Sequence, residues 1–185
     1  VAANASSEEI RRLAGAYRPK VEYPKSKLAG SLRSIAGLIS GGLGTRIYYT
    51  QQGGYDTHSN QRAAHDKLLG DLNDAVLAFQ KDLVQQGLDQ RVLTFTFSEF
   101  SRNLKENGSK GTDHGHAGAM FFFGPKVKPG LQGAYPSLDD IHDVRNGALK
   151  HNMDFRAVYS TVLKKWLGIP SEPVLGAYPD LDFLA

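Results

Sequence analysis

Apolar positions along this chain alternate between helical spacing and short β-branched or aromatic runs. Over 6–17, Ile10, Leu13, Ala14 and Tyr17 form one stripe, with Ser6 placed as N-cap and Glu9 three residues on, as in a capping box. Residues 18–24 carry Pro19 and Pro24 and predict an extended connector. Leu28, Leu32, Ile35 and Ile39 predict an amphipathic helix over 27–40, stopped by Gly41, Gly42 and Gly44. The longest pattern is Ala64, Leu68, Leu72, Val76, Phe79 and Leu83, a helix over 60–86 that ends at Gly87. A last helix is predicted over 154–167, ahead of Gly168 and Pro170.

The runs at 45–50, 91–97 and 119–123 predict strands. The second is apolar almost throughout, which suggests burial on both faces, and Phe121, Phe122 and Phe123 read as core. Residues 126–147 show no period. Helices alternating with strands predict an α/β class: a layered, mostly parallel sheet flanked by helices. In such a sheet ligands bind outside the carboxyl ends of the strands, so loops at those ends are the first place to look for chemistry.

Composition narrows the function classes. A chain of 185 residues suits a single domain or a compact pair of subdomains, and 41% hydrophobic with 22% charged residues excludes a disordered or fibrous protein. No apolar stretch reaches the roughly 18 residues of a membrane span. The net charge is +3, but Lys and Arg are interspersed with Asp and Glu, without a basic stripe or an aromatic platform; no nucleic-acid partner is indicated. The absence of cysteine excludes disulfides, iron–sulfur clusters and thiolate zinc sites. The chain opens at Val1 without an initiator Met, which reads as a processed or truncated product.

Three segments carry candidate chemistry. Asp56 and His58 follow the first predicted strand, and in an extended loop residues two apart face the same way. A carboxylate with an imidazole suits zinc, manganese or iron; the alternative is a turn in which Asp56 caps the next helix and His58 is exposed. Asp113, His114 and His116 sit in a glycine-flanked loop before the third predicted strand, as metal ligands or as part of a polar turn. Glu99 and Arg102 end the second predicted strand. Glu99 is then a ligand or an N-terminal helix carboxylate, and Arg102 either grips an anionic ester in two-pronged fashion or makes a surface ion pair. A parallel topology brings all three segments to one rim, so that imidazoles and carboxylates converge on a shared cation. Other features are weaker. Ser98 lacks a Gly-x-Ser-x-Gly elbow, the glycines at 41–44 lack the lysine of a phosphate loop, His65 reads as solvent-facing, and the 107–109 sequon reads as a turn.

Gly54-Tyr55-Asp56-Thr57-His58-Ser59-Asn60-Gln61, Phe97-Ser98-Glu99-Phe100-Ser101-Arg102 and the run from Asn107 to Gly115 resemble, in order and spacing, a large bacterial family. That family is catalogued as a domain of unknown function and labelled sulfatase-like and twin-arginine-exported. The segments 154–159 and 166–168 look like its closing helix. The family resembles the alkaline phosphatase superfamily, and the resemblance implies the C-terminal portion of a larger sulfatase-like domain. It also implies a periplasmic or extracellular location. The implied activity is metal-dependent hydrolysis of phosphate or sulfate esters, small-molecule or carbohydrate. The implied cofactor is a divalent metal: zinc first, with manganese, calcium or magnesium as alternatives. By this analogy Asp56 with His58, Glu99 and His114 look like metal ligands, Asp113 and His116 stand beside them, and Arg102 takes the catalytic role of stabilising charge on the transferring group. Two departures are visible: Phe100 stands where a second-site histidine is expected, and the nucleophile belongs to a half of the family pattern that precedes this chain. The alternative function is a non-catalytic exported module that binds carbohydrate or a partner.

Overall fold

The computed structural model describes residues 2–143 and 147–185; the last part of the aperiodic 126–147 stretch, at 144–146, lies outside the described residues. The chain divides into two compact units, at residues 1–92 and 93–185.

The first unit is helical: α1 (Ala2–Ala16), α2 (Lys27–Ser40) and α3 (Gln61–Gln85). α2 packs against both others. Its start is fixed by Ser26, whose side chain accepts from the Ala29 amide at 3.2 Å. Leu28, Ala29, Leu32, Ala36 and Gly37 form its buried face. Gly37 is required there, because a Cβ would lie 2.7 Å from Cβ of Tyr17. α3 buries Ala75, Val76, Ala78, Phe79, Asp82 and Leu83, all in its second half, while Ala64 is exposed. Ser6 lies inside α1 and does not cap it.

The second unit carries three two-stranded antiparallel ladders: β1 (Thr94–Phe95) with β4 (Phe122–Phe123), β2 (Ser101–Arg102) with β3 (His114–Gly115), and β5 (Ile141–Asp143) with β6 (Ala148–Leu149). α4 (Phe155–Thr161) continues into a π-helical turn, Val162–Trp166, and α5 (Glu172–Leu175) follows. The core gathers Val158, Val162, Phe183 and Leu184, with Phe95 and Phe122 packed against them. The rings of Phe122 and Phe183 lie 4.7 Å apart. Phe121, by contrast, is 49% exposed and is not core.

The layered, mostly parallel sheet predicted from the sequence is not seen among the described residues. Every ladder among the described residues is antiparallel, two-stranded and at most three residues long. The physical reason is that β-branched and aromatic runs fit an extended backbone whether or not another strand pairs with it. Residues 45–50 are not assigned as strand, and Ile47 and Tyr49 are 69% and 68% exposed. Within the 91–97 run Thr94 and Phe95 pair antiparallel with β4, the Thr96 amide donates to the Phe121 carbonyl at 2.9 Å, and Leu93 and Phe95 pack on the core of the second unit. Each candidate segment is therefore placed by its own contacts within its unit. Among the described residues no helix is long and apolar enough to cross a membrane.

Candidate metal centre

Asp56 and His58 lie in the irregular run that leads into α3. The Thr57 amide donates to the Tyr55 carbonyl at 2.9 Å, a tight turn centred on Asp56. Thr57 is 7% exposed and accepts from Gln61 Nε2 at 2.8 Å. Thr57 is thus held inward while its neighbours Asp56 and His58 are exposed. Upstream, Gln52 Nε2 donates to the Leu68 carbonyl at 3.0 Å, the Tyr55 hydroxyl donates to Gln52 Oε1 at 3.0 Å, and the Tyr55 ring meets His65 edge-on at 5.7 Å. Burial pushes the Tyr55 hydroxyl above the ordinary tyrosine pKa. His65 is half-buried against this ring and not solvent-facing. Asn60 takes the left-handed conformation, φ 46°, and turns the chain into α3 without a side-chain cap; Asp56 does not cap the helix.

The outcome is a close pair: His58 Nε2 lies 2.9 Å from Asp56 Oδ1, with side chains 48% and 60% exposed. Donors about 2.1 Å from one divalent cation sit about 3.0 Å apart when adjacent on an octahedron and about 3.4 Å apart on a tetrahedron. The pair therefore needs little or no rearrangement to chelate. One carboxylate oxygen and one imidazole nitrogen form a donor set suited to zinc or manganese ahead of calcium or magnesium, which prefer all-oxygen sites.

In the second unit Glu99 is exposed at a bend between β1 and β2 and does not end a strand. Arg102 and His114 face one another across the β2–β3 ladder. Arg102 Nε donates to Thr112 Oγ1 at 3.0 Å, and Nη2 donates to the Thr112 carbonyl. The His114 imidazole stacks on Phe100, with centroids 3.9 Å apart and planes 9° from parallel. The Arg102 guanidinium carbon lies 5.6 Å from the centre of the same Phe100 ring. Asp113 is exposed: its carbonyl accepts from the Asn103 amide at 2.9 Å, and Asn107 Nδ2 lies 3.5 Å from its Oδ1. His116 is exposed just beyond β3. The Asn107 side chain accepts from the amides of Ser109 at 2.9 Å and Gly111 at 3.1 Å, which makes 107–111 a side-chain-closed turn that sets up β3.

Thr57, Gln61, Phe100 and Thr112 were not identifiable as site residues from the sequence. Thr57 and Thr112 each lie beside a candidate ligand, but only burial distinguishes such residues from ordinary turn formers.

A family model described as a protein of unknown function (DUF1501) matches residues 10–183. Comparison with curated proteins finds no match, and comparison with solved structures finds none.

Proposed function

The chain belongs to the DUF1501 family, and for it we propose a role in metal-dependent hydrolysis of phosphate or sulfate esters. The observation that carries the reading is the 2.9 Å separation of Asp56 Oδ1 and His58 Nε2. An exposed acid and an exposed imidazole held this close, by a loop whose intervening residue is pinned inward, form a bidentate grip on a divalent cation. Zinc is the first choice for this donor pair. His114 is the further donor that the sequence resemblance assigns to the same ion, with Glu99, Asp113 and His116 as supporting carboxylates and imidazole. A cation bound there supplies Lewis acidity towards an ester oxygen and lowers the pKa of a hydroxyl nucleophile. The sulfatase-like character and an exported location, periplasmic or extracellular, belong to this proposal and rest on the resemblance.

The residues of the chain then divide the work. Asp56 contributes negative charge, which holds the cation and offsets its charge. His58 contributes a neutral nitrogen donor. Thr57 and Gln61 keep the pair turned outward. The Arg102 guanidinium, two of whose nitrogens bond Thr112, fixes the loop that carries His114.

That engagement of Arg102 favours a second reading, a non-catalytic exported module that binds metal together with carbohydrate or a partner. Turnover of aryl phosphate or aryl sulfate by the full-length protein separates the two. The hydrolase reading expects turnover that falls at least a hundredfold in His58→Ala; stoichiometric metal with no turnover of either ester supports the module.

A further inference from the structure

The turn at 107–111 holds an Asn–Gly pair, Asn107 and Gly108. Its backbone is closed by the Asn107 amide, which donates to the Gly111 carbonyl at 2.8 Å, and by the Lys110 amide, which donates to the Asn107 carbonyl at 3.2 Å. Inside the turn the Asn107 side-chain oxygen accepts from two amides, Ser109 at 2.9 Å and Gly111 at 3.1 Å. Asn107 Nδ2 lies 3.5 Å from Asp113 Oδ1. Gly108 and Ser109 are exposed, and the Gly108 amide donates to no group among the described residues.

We propose that Asn107 is a self-modification site, at which the Gly108 nitrogen attacks the Asn107 side chain and converts it to aspartate and isoaspartate. The Gly108 nitrogen gives its proton to solvent and forms a bond to Asn107 Cγ. The Cγ–Nδ2 bond breaks, and Nδ2 takes up a proton from solvent and leaves as ammonia. Water then opens the five-membered imide at one carbonyl or the other, which gives the aspartyl or the isoaspartyl link. Three features favour the step. Gly108 has no side chain to hinder the approach of its nitrogen. Nucleophile and target belong to adjacent residues, so the reaction is intramolecular. Two amides are already aimed at the oxygen on which negative charge develops. Any Asn–Gly sequence has the first two features; the folded turn adds the third. The product has a carboxylate oxygen in place of Nδ2, facing Asp113 at close range, and like charges there repel. The isoaspartyl form also lengthens the backbone by one methylene inside the turn that leads into β3. The inference is independent of the metal reading above.

The test incubates the folded chain at mildly alkaline pH and follows the tryptic peptide 106–110 by mass spectrometry. Conversion reads as a gain of one dalton, and chromatography separates the isoaspartyl form. A synthetic peptide spanning 103–113, in the same buffer, gives the rate of the sequence without the fold. The inference expects conversion about tenfold faster in the folded chain than in the peptide. It expects a fall of about tenfold or more in Gly108→Ala, checked for native circular dichroism, because the new methyl crowds the attacking nitrogen. A folded chain that converts no faster than the peptide overturns the inference, since the turn then shields Asn107 instead of activating it. Folded Gly108→Ala that converts as fast as the parent overturns attack by the Gly108 nitrogen.

Discussion

The Tyr17 hydroxyl donates to the carboxylate of Asp82 at 2.6 Å, joining the residue just past α1 to the interior of α3. Asp82 is fully buried, and it also accepts from the Tyr23 hydroxyl at 2.8 Å and the Lys20 amide at 2.9 Å. Gln86 donates in turn to the Tyr17 oxygen. A buried carboxylate is tolerable only with such a set of donors. In Asp82→Ala those donors lose their acceptor, and we expect a loss on the order of 3 kcal/mol. Tyr23→Phe removes one donor and leaves the others, for a loss of about 1 kcal/mol. Urea unfolding of the chain checks both; equal stabilities for parent and Asp82→Ala would refute the network.

The same cluster sets an alkaline limit. Burial first, then the hydrogen bond to Asp82, pushes Tyr17 and Tyr23 well above the ordinary tyrosine pKa. A raised pKa means that the folded state holds the phenolic proton more tightly than the unfolded state. The contribution is therefore complete below about pH 10 and is lost as pH climbs through the raised values. Absorbance near 295 nm should show these tyrosines ionising only together with loss of helix. Their titration near pH 10 in a still-folded protein would contradict the arrangement.

Asp154 caps α4. Its carboxylate accepts from the Arg156 amide at 2.9 Å and pairs with the Arg156 guanidinium, and the latter bond is the main cause of a pKa lowered to about 2. A depressed carboxyl pKa stabilises the fold above about pH 4, and the contribution fades as pH falls towards 2. Asp154→Ala should cost about 1 kcal/mol at neutral pH. The gap between variant and parent should close on acidification, as thermal melts across that range will show.

Gly115→Ala places a methyl against the Arg102 backbone and forces β2 and β3 apart. We expect a loss of about 2 kcal/mol and release of the stacked Phe100 and His114 rings. Proton spectra of the aromatic region give the answer directly; an unchanged His114 environment would show that close strand approach is not what seats the rings.

The sequence carried the helices well and the sheet poorly. The span 27–40 is found as Lys27–Ser40, and the span 60–86 is found as Gln61–Gln85 with Asn60 and Gln86 at its ends, because helix signals and stop signals are local. Helix continuity past Thr161 turns π-helical, a change that apolar spacing does not encode. A strand's partner is not written in the strand itself. Nothing in 45–50 announces that it is not assigned as a strand, and nothing in 119–123 says that Phe122 and Phe123 pair antiparallel with β1. The site shows the same division. The outward-facing Asp56–His58 pair followed from a spacing of two, whereas the Phe100–His114 stack depends on the register of two strands joined through the 107–111 turn.

The most direct test is metal content. After equilibrium dialysis against zinc and removal of free ion, elemental analysis should find stoichiometric zinc in the parent chain and strongly reduced zinc in folded His58→Ala and Asp56→Ala. A parent chain that retains negligible metal, or folded variants that retain as much as the parent, would contradict the account.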